Sequence, residues 1–159
     1  MDINFLAVGR LKGPEQELCD RYITRIGSMG RQLGIGKCKL STINEGRGNA
    51  LKARKRFESD ELLKKVSDKA VLIALDERGK SLDSQKFSKL LADYRDRGAP
   101  ELVFALGGPD GHGEALLQKA QIKLSLSDMT MPHGLARAVL AEQVYRALTI
   151  LGNHPYHRD

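Results

Sequence analysis

Short apolar runs alternate along the chain with longer segments in which apolar residues recur every three or four positions. The runs at residues 3–8, 70–75 and 102–106 are almost wholly apolar, and residues 37–43 and 123–126 are less regular candidates. Wholly apolar runs of this length are typical of strands in a parallel sheet that is covered on both faces. Glycine or polar residues follow each run, which indicates where each strand ends.

The segments between these runs have the spacing of amphipathic helices. Four of them lie at residues 15–26, 50–66, 114–122 and 135–151, and a fifth is capped by Asp83 or Ser84 and ended by Gly98. The glycine-rich residues 27–36 predict a loop. In the second helix the expected inward positions are Leu51, Phe57, Leu62, Leu63 and Val66. Strands alternating with helices predict an α/β fold with a mainly parallel sheet, helices on both faces, and one domain over residues 1–159.

The sequence GGPDGHG at 107–113 directly follows an apolar strand. Ligands of open parallel sheets bind beyond the carboxyl ends of the strands, where glycine lets the backbone approach them. The spacing matches neither the dinucleotide fingerprint nor the P-loop, because Gly107 and Gly108 are adjacent and no Gly-Lys-Ser/Thr follows. A ligand-binding loop and a purely structural turn both remain open.

Two further loops should lie beside this one. Residues 76–80 follow Leu75, and residues 127–133 follow Leu126. Loops that leave neighbouring parallel strands on the same side would form one pocket. Met129 and Met131 in the last loop are ordinary core residues or walls that sandwich a flat heterocycle.

The charge balance favours anionic partners. Lys and Arg number 26 against 20 Asp and Glu, giving a net charge of +6. Nucleic acid fits such a balance, although a merely basic, well-hydrated protein fits it as well. Basic residues in the loop before the second helix and within that helix contact such a partner or form a solvated face. They include Arg47, Arg54, Lys55 and Arg56.

Several classes of protein are disfavoured. No apolar run approaches the roughly 20 residues that span a bilayer, and the N-terminus lacks a basic signal region, so we expect a cytoplasmic protein with no membrane partner. Cys19 and Cys38 are expected to be reduced, half-buried thiols. His154 and His157 have no further ligands at regular spacing, so we expect no metal site. No Ser-His-Asp or Cys-His arrangement indicates a hydrolase.

The C-terminal part of the chain has two unusual features. The helix at 135–151 is apolar around most of its circumference, which predicts a second covering layer. A homodimer supplies that layer most simply, and the alternative is a helix buried wholly within its own domain. The tail at 152–159 combines imidazole, aromatic and guanidinium groups in Tyr156, His157 and Arg158. Such groups stack on bases and contact phosphates, but packing against the fold is the alternative.

Six segments together resemble the RlmH family, the bacterial large-subunit ribosomal RNA pseudouridine N3-methyltransferases of the SPOUT class. The resemblance covers essentially the whole chain and is most specific from Leu75 onward. The segments are AVGRLK at 7–12, LD…GK at 75–80, GGPDG at 107–111, LSDMTMPH at 126–133, EQVYRA at 142–147 and YHR at 156–158.

The resemblance implies a C-terminal trefoil knot, a homodimer, and methyl transfer from S-adenosylmethionine to N3 of a pseudouridine in 23S ribosomal RNA within assembled ribosomes. It places the cofactor against Leu75, Gly107, Leu126, Ser127, Asp128, Met129, Thr130 and Met131. The expected substrate-binding residues are Tyr156, His157 and Arg158, with Arg158 on a phosphate or on the uracil face. No general base is identified; the candidates are His133 and the same three tail residues.

Two competing functions share some of these features. A non-catalytic ribosome-binding module would share the charge and the tail, but it would not need three glycine- or methionine-bearing loops at adjacent strand ends. A nucleotide-dependent oxidoreductase would share the α/β pattern, but it should carry the dinucleotide fingerprint. Titration with a methyl donor and with a nicotinamide cofactor separates these possibilities.

Overall fold

The computed structural model describes residues 1–158. A three-residue 3-10 helix at Arg31–Leu33 follows the first α-helix. The strands are β1 (Asp2–Val8), β2 (Cys38–Ile43), β3 (Val71–Ser81), β4 (Glu101–Leu106) and β5 (Ile122–Ser125). The helices are α1 (Pro14–Gly30), α2 (Leu51–Leu63), α3 (Ser84–Asp96), α4 (Glu114–Lys119) and α5 (His133–Leu151).

The strands form one sheet in the order β2-β1-β4-β3-β5, and every pairing in it is parallel. The sheet buries apolar side chains on both faces. Along β1, for example, Phe5 faces one core and Leu6 the other. Helices α1, α3 and α5 cover the first core, whereas α2 and α4 cover the second. The predicted α/β fold, with a parallel sheet and helices on both faces, is confirmed.

Three predicted boundaries are wrong. Helix α1 runs through Gly27 and Gly30, which were expected in a loop, because packing against the rest of the first core outweighs the low helix propensity of glycine. Helix α4 ends at Lys119 rather than at 122, and Ile122 begins β5. Strand β3 continues to Ser81, past the predicted end at Leu75.

Helix α5 is covered within its own chain. It packs against α1 and α3 over the sheet, and ten of its residues are buried. Leu148, near the C-terminal end of the helix, is wholly inaccessible. The apolar character of this helix therefore does not by itself require a homodimer, because two neighbouring helices supply the second layer.

The prediction of which residues of α2 face inward is wrong at two positions. Leu51 is 52% exposed and Phe57 is 48% exposed, whereas Leu62 and Val66 are buried as predicted. The inward face instead includes polar residues that hold loops: Glu58 Oε1 accepts a hydrogen bond from the Gly46 amide at 2.8 Å. No helix within residues 1–158 is long and apolar enough to cross a membrane.

The two cysteines are free thiols. Cys19 is fully buried rather than half-buried, and Cys38 is partly buried. Burial raises the pKa of Cys19 to about 11 and that of Cys38 to about 12. Both sulfurs therefore stay protonated and unreactive near neutral pH.

Candidate active site

A cavity of about 400 Å³ lies at the carboxyl ends of β3, β4 and β5. Its volume is in the range of small-molecule sites. The three strand ends predicted to form one pocket therefore do come together. Seven of the eight predicted cofactor residues line it: Leu75, Gly107, Leu126, Ser127, Met129, Thr130 and Met131. The eighth, Asp128, is exposed and does not line the cavity.

One wall of the cavity comes from a bulge in β3. Leu75 and Lys80 both pair with Leu124 of β5, so residues 76–79 leave the ladder between them. Asp76, Glu77 and Arg78 line the cavity from this bulge. Gly79 closes the bulge: a Cβ there would lie 2.6 Å from the Lys123 carbonyl carbon. Only glycine allows β3 to return this close to β5.

The glycine-rich loop between β4 and α4 is held from α2. The Arg54 guanidinium donates to Asp110 Oδ2 at 2.8 and 3.0 Å and to the Gly48 carbonyl at 2.7 Å. At the other end of the loop, the Gly113 amide donates to Ser59 Oγ at 2.7 Å. A Cβ on Gly107 would meet the backbone of Gly111 at 3.0 Å rather than open space. The loop therefore turns tightly on itself below the cavity.

His112 joins this loop to the sheet. Its ring is buried, and Nε2 lies 3.1 Å from the Ala105 carbonyl oxygen, to which a protonated Nε2 donates. Burial lowers the pKa of His112 below its usual 6.5, and nearby Lys55 acts in the same direction, against the smaller raising effects of the Ala105 carbonyl and Asp76. The imidazole is therefore neutral in the folded protein at pH 7.

A lowered histidine pKa predicts loss of stability in acid. Below the usual pKa of 6.5, His112 binds a proton in the unfolded chain but stays neutral in the folded chain. The free energy of unfolding therefore falls as the pH drops further. We expect the melting temperature to fall between pH 7 and pH 5, and His112→Gln to reduce that slope. His154→Gln, at an exposed histidine, is the control; equal slopes for both variants would contradict the assignment.

A buried cation lies at the end of β1. Arg137 of α5 is 1% exposed, and its guanidinium donates to the Val8 carbonyl at 2.9 Å and to the Gly9 carbonyl at 3.2 Å. Burial lowers the pKa of this arginine. The contact fixes the first part of α5, which also supplies His133 and Ala136 to the cavity wall.

The C-terminal tail lies away from this cavity. The Tyr156 hydroxyl donates to Glu142 Oε1 at 2.9 Å and lies 3.2 Å from the Tyr22 hydroxyl. Arg146 lies 5.0 Å from the centre of the Tyr156 ring and forms an ion pair with Glu142 at 2.6 Å. Desolvation and these hydrogen bonds raise the pKa of Tyr156. None of Tyr156, His157 and Arg158 lines the cavity of its own chain.

The sequence analysis missed the helical contributors to the cavity. Lys55 of α2, Leu117 of α4 and Ala136 of α5 face it, and no local motif marks them because they approach it only through helix packing. Two basic residues for which the sequence left a partner contact and a solvated face open lie at the site, since Arg54 holds the loop and Lys55 lines the cavity. Across residues 1–158, no group of three or more His, Cys, Asp or Glu side chains could hold a metal ion.

Comparison with known proteins identifies the family. A family model described as predicted SPOUT methyltransferase matches residues 1–157. Curated relatives named ribosomal RNA large subunit methyltransferase H are 48% identical in Rhizobium etli and in Agrobacterium fabrum, over 99% of both chains in each case. The protein of that name from Brucella anthropi is 45% identical over 100% of both chains.

Solved structures agree on the fold. A "probable methylase family protein" from Haemophilus influenzae matches with a TM-score of 0.56 at 10% identity, covering 99% of this chain and 70% of that one. A "probable methyltransferase" from Bordetella pertussis matches with a TM-score of 0.55 at 16% identity, covering 92% and 93%. The full-length matches confirm the resemblance of the motifs: the chain belongs to the SPOUT methyltransferase family, among the ribosomal RNA large subunit methyltransferase H proteins.

Proposed function

We propose that this protein transfers a methyl group from S-adenosylmethionine to N3 of a pseudouridine in 23S ribosomal RNA, acting on assembled ribosomes in the cytoplasm. The observation that carries the proposal is the glycine-rich cavity at three adjacent strand ends, in a chain whose full-length relatives are named ribosomal RNA large subunit methyltransferase H. The trefoil knot of the class remains a prediction for this chain.

The residues around the cavity fit S-adenosylmethionine. The cofactor is a flat heterocycle joined to a ribose and to a sulfonium-bearing amino acid. Leucines on several sides provide apolar walls for the heterocycle, and the turns at 107–113 and 126–131 bring backbone close to the polar parts. The apolar lining includes Leu75, Leu106, Leu117, Leu124, Leu126 and Met131. Bound there, the cofactor supplies a methyl group already activated on sulfur.

The remaining work of the protein is binding, orientation and removal of a proton. Walls on three strand ends restrict the approach of the acceptor base, and correct alignment alone can supply much of the acceleration. The N3 proton must leave for the nitrogen to attack. His133, at the first turn of α5, lines the cavity and is a candidate base, and His157 of the tail is the other imidazole among the expected residues. Tyr156 and Arg158 stay protonated near neutral pH and are assigned to substrate binding.

We further propose that the active protein is a homodimer. In one chain, Met129 is 77% exposed and Leu135 is 44% exposed beside the cavity. The tail does not line its own cavity, so in a dimer it could reach the partner's pocket and complete that site. Apolar side chains left uncovered at the mouth of a site support a subunit contact there.

Leu135→Glu should disrupt this dimer. The side chain is exposed in one chain, so the substitution leaves the fold intact and places a charge in the proposed contact. We expect a dimeric wild type and a monomeric variant by light scattering at micromolar concentration. Leu51→Glu, at a similarly exposed leucine of α2, should stay dimeric. A monomeric wild-type protein would overturn the proposal.

Transfer of a labelled methyl group tests the function. Ribosomes that lack the modification are incubated with labelled S-adenosylmethionine and the protein, and the position of the label is mapped in the 23S RNA. We expect label on one pseudouridine. Cofactor binding without transfer to RNA would contradict the proposed substrate, and absence of cofactor binding would contradict the enzyme.

A further inference from the structure

Helix α2 carries two large apolar side chains that residues 1–158 leave about half uncovered. Leu51 and Phe57 are about half exposed, and they are two of the four exposed large hydrophobic residues in the part of the chain that the structure describes. Phe57 lies one position after Arg56, whose side chain is 86% exposed. The Phe57 ring and the Arg56 guanidinium are therefore both accessible to a partner outside the chain.

The first part of α2 and the loop before it are strongly positive. Residues 47–57 contain five Lys or Arg and no Asp or Glu. Arg47, Lys52 and Arg56 are exposed, and the ion pair of Arg56 with Asp60 is long, at 3.9 Å. These three cations are therefore available to an external anion.

This positive segment continues from the wall of the active site. On the inner side of the same helix, Lys55 lines the cavity and Arg54 holds Asp110 of the glycine-rich loop. The next residues, Arg56 and Phe57, are exposed. A polymer whose reactive unit lies in the cavity would pass over this part of α2.

We propose that Arg47, Lys52, Arg56 and Phe57 form a docking surface for the ribosomal RNA that flanks the target nucleotide. The cations bind phosphates, and the Phe57 ring stacks on an unpaired base. The positive charge without intervening acids favours a polyanion over a protein partner. This inference rests on the proposed function, because it assigns the surface to the RNA of that reaction.

A charge-reversal pair with a matched control tests the surface. Lys52→Glu with Arg56→Glu changes four units of charge on α2. Lys89→Glu with Arg97→Glu makes the same change at exposed residues of α3 and just after its end, on the opposite face of the sheet. We expect the α2 pair to raise KM for ribosomes by at least about tenfold and to flatten its salt dependence, with unchanged affinity for S-adenosylmethionine. Equal KM values for the two pairs would overturn the proposal.

The aromatic contribution is tested separately. Phe57→Ala should raise KM for ribosomes several-fold. Phe57→Tyr keeps a stacking ring, so its KM should stay close to that of the wild type. Melting curves confirm that each variant is folded. If both Phe57 variants behave as the wild type, Phe57 is not part of the surface and the proposal fails in that part.

Direct binding distinguishes RNA from a protein partner. Affinity for a protein-free fragment of large-subunit ribosomal RNA should fall in the α2 charge pair and not in the α3 pair. A defect seen only with intact ribosomes would assign the surface to a ribosomal protein and overturn the RNA proposal. Because this measurement needs no methyl transfer, it still tests the surface if the proposed reaction itself is wrong.

Discussion

Removal of residues 156–159 should abolish ribosome methylation while S-adenosylmethionine still binds. The cofactor pocket is built from strand ends, and the tail does not line it in its own chain. The tail instead supplies the flat, cationic and hydrogen-bonding groups that would hold an unstacked base. Because misplacement of a reacting group by about 1 Å can cost about 10²-fold in rate, we expect at least that loss of methyl transfer. Near-normal methylation would refute the role of the tail in substrate binding.

A structural contribution of the tail must be separated from this effect. Tyr156 packs on α1 and α5, so the truncation also lowers the melting temperature. Tyr22→Phe is the control, since it removes the hydroxyl contact to Tyr156 and leaves the tail intact. We expect it to cost about 1 kcal/mol of stability with methylation retained. Arg158→Ala, at an exposed residue, should lower methylation with no change in stability.

Gly79→Ala should lower both stability and cofactor affinity. The added methyl would overlap the backbone at Lys123 and Leu124, and backbone cannot rotate away as a side chain can. β3 and β5 must separate, which we expect to cost about 1–3 kcal/mol and to move Leu75 relative to Leu126 across the cavity. Cofactor affinity should fall by more than tenfold in titration calorimetry.

Gly27→Ala is the matched control for that change. Gly27 lies within α1, and a Cβ there has nothing within 4 Å. The same chemical substitution should therefore stabilise the helix by up to about 1 kcal/mol and leave cofactor binding unchanged. Wild-type affinity in Gly79→Ala would show that the close approach of the two strands does not shape the pocket.

The parts of this fold that were predictable are those fixed by local pattern. Residues 5–8 of β1 and 102–106 of β4 are wholly apolar because helices cover both faces. Asp83 caps α3 as predicted, accepting a hydrogen bond from the Lys86 amide at 2.7 Å. The bulge in β3 was not predictable. Residues 76–80 are polar and have no strand pattern, and Lys80 and Ser81 rejoin the sheet only because β5 lies beside them.

The residues of the candidate site also fall into a group that local sequence pattern predicts and a group that it does not. Gly107 follows an apolar strand and the 126–131 turn follows the less regular strand at 123–126, so the general rule for parallel sheets identified both. Lys55 and Leu117 reach the cavity from helices that are distant in sequence. The helical spacing predicted that Phe57 faces inward, but its side chain is half exposed. Spacing alone does not distinguish an exposed aromatic residue from a buried one.

The contact between Arg137 and the end of β1 has a kinetic consequence. It joins residues 128 and 129 positions apart in sequence, and β1 lies inside the sheet between β2 and β4. The N-terminal strand therefore receives one of its last partners from a helix that ends eight residues before the C-terminus. Because contacts of such long sequence separation slow folding, β1 stays without this partner until α5 has been synthesised and has packed against the sheet.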